Sequence, residues 1–167
     1  MGGIKPQNIF VRFNDEQSTD YGHIGDRVKY LPQNLFMPPR MTLDEAFRLY
    51  DVEYDGLVSF DPKFHTFQKK QFRELSGGEA RVAEMFIIIK SPSDFCILDE
   101  PFSNIAPIHV EKMQSLIREE KANKGIIVSD HLYEAIIQVS DNLFLLRDGY
   151  TFPVRSREDL TRHGYIR

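Results

Sequence analysis

Two carboxylates, Asp99 and Glu100, close the apolar run Phe95-Cys96-Ile97-Leu98. If that run is a strand, the pair stands at the carboxyl edge of a sheet, where α/β proteins build their ligand sites. Asp99 would then hold Mg²⁺, usually through water. Glu100 would orient or deprotonate a water attacking a γ-phosphate, a step governed by positioning and electrostatics more than by covalent chemistry. Alone, such a pair is most often a polar exit from a strand. His131, in Ser129-Asp130-His131 after a second apolar run, is in isolation more often a solvent-facing or capping residue. Leu75-Ser76-Gly77-Gly78-Glu79 stands ahead of a helical pattern and offers a hydroxyl and side-chain-free amides at the positive end of a helix, which suits a phosphate. By itself Ser-Gly-Gly reads first as an N-cap with a turn. Gln33 follows a short strand candidate, and this ordered combination of residues is hard to obtain by chance. Nowhere does the sequence contain Gly-x-x-x-x-Gly-Lys-Ser/Thr, the loop that wraps nucleotide phosphates.

These residues need strands and helices to hold them. Residues 8–13 alternate apolar and polar and read as a half-buried strand, residues 15–27 as a polar loop, and Val28 to Leu31 as a strand stopped by Pro32. Thr42 and Glu45 suit a capping box, with Leu43, Ala46, Phe47 and Tyr50 on one helical face. A helix is expected from Glu79 to Lys90, ended by Ser91-Pro92-Ser93, then a strand from Phe95 to Leu98. A further helix over His109 to Ala122, a strand over Gly125 to Val128, a helical stripe of Leu132, Ala135, Ile136 and Val139, and a strand over Asn142 to Leu146 continue the alternation. Arg147-Asp148-Gly149 reads as a hairpin turn, and Ser156 with Asp159 as the cap of a last short helix. That alternation predicts a largely parallel sheet covered by helices, an α/β fold.

At 167 residues, 41% apolar and 12% aromatic, the chain can bury one core of ordinary domain size. Charges balance closely, 21 Lys+Arg against 25 Asp+Glu for a net -4, so there is no overall attraction for nucleic acid or anionic lipid. The lone Cys96 excludes a disulfide within the chain and points to a reducing compartment. The longest apolar stretch, Met85 to Ile89, is far short of the roughly 18 to 20 residues a bilayer span requires. A soluble cytoplasmic protein is expected.

From about Gly3 through Gly149 the chain resembles the ATP-binding cassette (ABC) family, the ATPase subunits of ABC transporters. Tyr30-Leu31-Pro32-Gln33 resembles the family's Q-loop, Leu75 to Glu79 its signature, Phe95 to Glu100 its Walker B strand, and His131 its switch histidine. Glu100-Pro101-Phe102-Ser103 and Ser129-Asp130-His131 look most like the lipopolysaccharide-export and branched-chain amino acid uptake types. The resemblance implies an incomplete P-loop NTPase core of the ABC type, with a parallel sheet and helices and a helical subdomain between Q-loop and signature. It would form a single partial domain over 1–167: strand and loop region through the Q-loop (1–34), helical subdomain and signature helix (35–90), and the Walker B and switch-histidine half (91–167). It implies ATP and Mg²⁺ as cofactors, a head-to-tail dimer with a second ABC ATPase subunit, transmembrane permease subunits as partners and no nucleic acid. The protein would then lie at the inner face of the cell membrane. Glu100 and His131 would be catalytic, and Asp99 with Gln33 would hold the metal. Gln33, Leu75, Ser76, Gly77, Gly78 and Glu79 would contact the nucleotide, the signature residues acting in trans.

The chain departs from the family pattern in places. Gly3-Ile4-Lys5-Pro6 resembles the segment after the P-loop helix, so the chain is expected to be an ABC ATPase truncated before the Q-loop, inactive by itself, with an open edge on its Gly125 to Ser129 strand. Glu79 replaces the signature's usual Gln, and Ala106 stands where the family's D-loop has Asp. Two alternatives stay open: a non-hydrolysing partner that donates its signature in trans, and a soluble ABC-type ATPase outside transport.

Overall fold

The computed structural model describes residues 11–13, 16–18 and 24–165. β1 (Val11–Phe13) and β2 (Glu16–Ser18) pair antiparallel and precede the single turn α1 (Ile24–Arg27) and β3 (Val28–Leu31). Residues 8–10 of the expected first strand, and the Gly3 to Pro6 segment, lie outside the described residues. β2 and α1 occupy a stretch expected to be loop; elements of three and four residues are too short to carry a periodic pattern.

Helices dominate the next part: α2 (Leu43–Leu49), α3 (Tyr54–Phe60), 3₁₀ turns at Pro62–Thr66 and Phe72–Glu74, and α4 (Gly77–Lys90). The Thr42–Glu45 capping box forms as expected, with Glu45 N to Thr42 Oγ1 at 3.2 Å and Thr42 N to Glu45 Oε2 at 2.8 Å. The segment closes on itself through Leu43 N to Lys70 O at 3.0 Å, Phe72 N to Met41 O at 2.9 Å and the Thr42–Gln71 bridge. α4 starts two residues before the expected Glu79, because Ser76 is its N-cap and Gly77 and Gly78 are already helical. Every side chain from Ala80 to Ile89 is buried, so α4 is the central post of the core. Phe86 packs on Phe47 and Phe60 at centroid distances of 6.1 and 5.6 Å.

β4 (Phe95–Asp99), α5 (Pro107–Glu120) and β5 (Gly125–Ser129) follow as alternating strand, helix and strand. β3, β4 and β5 form one parallel sheet in that order, with Leu31 beside Leu98 and Asp99 beside Ser129. Both crossovers carry helices, as parallel pairing requires. α6 (Tyr133–Ile137) leads to a separate antiparallel hairpin, β6 (Leu143–Arg147) and β7 (Tyr150–Val154), and then to α7 (Arg157–Arg162). Asp148 and Gly149 both take positive φ, 52° and 80°, as the tight turn between β6 and β7 demands. The Asp159 carboxylate accepts from Arg155 N and Ser156 N at the head of α7.

Among the described residues β5 pairs only with β4 and β6 only with β7. A cleft of about 870 Å³ lies between them, lined by Ile127, Val128, Phe144 and Leu146, with Asp99, Glu100 and His131 also on its wall. No helix among the described residues is long and apolar enough to cross a membrane.

Candidate functional site

Parallel register places the ends of β3, β4 and β5 side by side, and the expected residues meet there. Gln33 Nε2 donates to Glu100 Oε2 at 2.7 Å, while His131 Nε2 lies 3.1 Å from the other oxygen, Oε1. Residues from three separate strand ends thus converge on one carboxylate. Glu100 is largely covered (side chain 20% exposed) whereas His131 is 83% exposed, leaving the imidazole open on one side. Glu100 sits in the left-handed backbone region, φ 45°, which a non-glycine residue adopts only when its surroundings hold it there. Its N–H donates to Ser129 O at 2.7 Å.

Asp99 is oriented by two hydroxyls: Ser129 Oγ donates to Oδ1 at 2.8 Å and Tyr30 OH to Oδ2 at 3.1 Å. Burial, followed by the bond to Asp99, pushes the Tyr30 phenol above its ordinary pKa, so it remains a donor at neutral pH. One carboxylate plus the Gln33 amide oxygen, completed by water and phosphate oxygens, is a donor set that suits Mg²⁺. The residues at hand therefore fit such a cation. The sequence does not provide the Gly-x-x-x-x-Gly-Lys-Ser/Thr loop that cradles nucleotide phosphates.

Asp130, between Ser129 and His131, accepts from Phe102 N at 3.0 Å and Leu132 N at 2.8 Å, tying the loop after Glu100 to the loop that carries His131. Ser103 Oγ reaches Glu100 Oε2 at 3.4 Å. Tyr30, Ser129 and Asp130 lie inside motifs visible in the sequence, yet no role for them follows from residue type alone. The signal that could have found Ser129 is register, since it faces Asp99 across the parallel pair.

The signature residues form a second, separate group. Ser76 Oγ accepts from Glu79 N at 3.3 Å and Glu79 Oε2 accepts from Ser76 N at 2.7 Å, a capping box at the start of α4. Lys63, from the 3₁₀ turn, pairs with Glu79; that bond and the Ser76 N–H lower the Glu79 pKa to about 2. Leu75, half-buried, packs against the core. A side chain at Gly77 would meet nothing within 4 Å, so this turn presents bare backbone outward, whereas a Cβ on Gly78 would come within 3.2 Å of Asn104 O. Ser76 to Glu79 make no hydrogen bond to Gln33, Asp99, Glu100 or His131 among the described residues.

The family model described as "ABC transporter" matches residues 1–103. The lipopolysaccharide export system ATP-binding protein of Acidithiobacillus ferridurans is 30% identical over 104 residues, covering 62% of this chain and 43% of that protein. An uncharacterized ABC transporter ATP-binding protein of Methanocaldococcus jannaschii is 30% identical over 163 residues, covering 88% of this chain and 60% of that protein. The chain thus spans about half the length of these curated relatives. Among solved structures, an ATP-binding subunit of an ABC transporter superposes with a TM-score of 0.75 at 18% identity, covering 96% of this chain and 72% of that one, a likeness of fold. The structure of an archaeal ribosome recycling factor in complex with a ribosomal stalk protein gives 0.67 at 25% identity, covering 83% of this chain and 30% of that one.

Proposed function

We propose, from the premise that this chain belongs to the ABC transporter family of ATP-binding proteins, that it forms the hydrolytic half of a transporter's ATP-binding and ATP-hydrolysing subunit. The observation that carries this reading is the meeting of Gln33 and His131 on the two oxygens of Glu100, one residue beyond Asp99. Glu100 accepts a hydrogen bond from the attacking water and takes its proton; Gln33 keeps the carboxylate aimed. The exposed His131 supplies a donor toward the transferred phosphoryl group. Asp99, fixed by Tyr30 and Ser129, would hold the metal. Mg²⁺, when bound with ATP, supplies positive charge at the γ-phosphate.

The phosphate cradle has to come from residues other than these. The cleft beside β5, with Asp99, Glu100 and His131 on its wall, gives a P-loop-bearing strand and helix a place to enter next to the hydrolytic cluster. A second subunit in head-to-tail orientation would receive Ser76, Gly77 and Gly78 over its nucleotide, and permease subunits would bring the assembly to the inner face of the membrane.

The test is a fusion that places the P-loop segment of the M. jannaschii relative ahead of Met1. It is expected to hydrolyse ATP with Mg²⁺, and Glu100→Gln should retain ATP binding while lowering turnover by about 100-fold or more. Unchanged turnover in that variant would remove Glu100 from its assigned role.

The open backbone at Gly77 also favours a second reading, in which the chain lends its signature to a complete subunit. The unfused chain should then raise hydrolysis by an intact ABC ATPase, and Ser76→Arg should abolish the gain. No stimulation removes this reading.

A further inference from the structure

Arg81 is a cation buried in the core at 3% exposure, and its side chain bonds to backbone carbonyls instead of to a carboxylate. Nη1 donates to Pro32 O at 2.6 Å; Nη2 donates to Asp99 O at 2.8 Å and Glu100 O at 3.0 Å. Pro32 immediately precedes Gln33. One planar guanidinium therefore grips the chain next to Gln33 and the chain at Glu100, the two residues joined by the 2.7 Å side-chain bond. The two carbonyls held by Nη2 flank the Glu100 Cα, whose φ of 45° has to be held against its own steric preference. Bonds from a cation to carbonyls are stronger than neutral ones, and a guanidinium presents its donors in a fixed fork that an ammonium cannot reproduce.

Three residues further along α4, Glu84 completes the grip. Its Oε1 accepts from Phe36 N and Met37 N, both at 2.9 Å, so α4 holds the segment that contains Gln33 on both sides, Pro32 before it and Phe36 after it. The N-cap of this same helix is Ser76, the signature serine.

We infer that Arg81 is a positioning residue for hydrolysis: it locks Gln33 and Glu100 in register and makes their alignment follow the placement of the signature helix. The inference rests on the assignment of Glu100 as the hydrolytic carboxylate. A shift of α4 as its N-terminus is engaged would move Pro32 O and the two carbonyls at Glu100 together, so the Gln33–Glu100 pair would report on occupancy of the signature. Arg81 itself is buried, with its hydrogen bonds made to backbone carbonyls.

Two readouts test this. In the dilute 167-residue chain, the Gln33 side-chain amide resonances, identified by their loss in Gln33→Glu, should move in Arg81→Met to where they stand in Glu100→Ala. Val82→Ala, a buried change on α4 at a side chain with no hydrogen-bonding group, should leave them in place. Arg81→Lys, which keeps the charge and loses the fork, should give an intermediate position and serves if the Met variant does not fold. Unmoved Gln33 signals in the Arg81 variants, or an equal move in Val82→Ala, overturn the inference. In the fused ATPase, Arg81→Lys should lower kcat at least about tenfold with KM for ATP unchanged. A rise in KM alone also overturns it. If the fusion with Arg81 intact shows no hydrolysis, the ATPase assignment fails, while the amide signals still decide whether Arg81 aligns the pair.

Discussion

At the scale of single residues, function here depends on which groups are held and which are left free. Asp99 has both oxygens engaged by hydroxyls, Glu100 has both engaged by Gln33 and His131, and the His131 side chain remains widely exposed. Glu79 is held firmly in its charged state. Its pKa, lowered from 4.5 to about 2 by Lys63 and Ser76, lies below the unfolded value. The stability it contributes is therefore present above pH 4.5 and is lost as the pH falls toward about 2. Lys63 is half exposed, so water screens the pair and the contribution should be about 1 kcal/mol, on the scale of a helix cap. Urea unfolding followed from pH 6 to pH 2 is expected to show this loss in the natural chain and a flatter curve in Glu79→Gln; parallel curves would refute it.

Among the elements, α4 and α5 contrast at their amino ends. α4 has a complete capping box, whereas Ala106, the N-cap of α5, has no side-chain acceptor although its φ and ψ, −68° and 148°, suit one. Ala106→Asp should therefore raise stability by about 1 kcal/mol, seen as a higher urea midpoint with unchanged slope. Capping chemistry was the most legible part of the sequence: Thr42–Glu45 and Ser156–Asp159 mark real helix starts, and the apolar runs at 28–31, 95–98 and 125–128 mark β3, β4 and β5 of the parallel sheet. α3 and β7 were not legible, for physical reasons. α3 contains Gly56, which reads as a breaker, yet a Cβ there would come 3.2 Å from the Phe86 ring, so close packing asks for the glycine. β7 contains Pro153, tolerated because this two-stranded hairpin has no third strand for β7 to bond among the described residues. Within the site, the meeting of Gln33, Glu100 and His131 was legible as a family pattern. The grip of Arg81 was not, because its partners are backbone carbonyls, which leave no trace in residue identity.

For the whole molecule, one edge of β5 stands unpaired among the described residues. Ile127, in its middle, is 59% exposed, and the apolar cleft walls beside it add Phe144 and Leu146. An unprotected apolar edge invites pairing with another chain, so self-association should grow with concentration in light scattering, and Ile127→Lys should suppress it. A monomer with one sharp melt at high concentration in the natural chain would contradict this. The same sheet also sets a schedule for synthesis. Gln33 and Glu100, like the strands that carry them, are 67 positions apart, and at roughly 5–20 residues per second that interval is about 3 to 13 s on the ribosome. Throughout that interval Val28 to Leu31 has left the peptidyl-transferase centre without the strand it must pair with, whereas the stretch from Met41 to Phe72, made within it, closes on itself through its own hydrogen bonds. A nascent chain paused before Phe95 thus carries β3 alone of the strands β3, β4 and β5, with no partner for it, the state in which a chaperone would find most to hold.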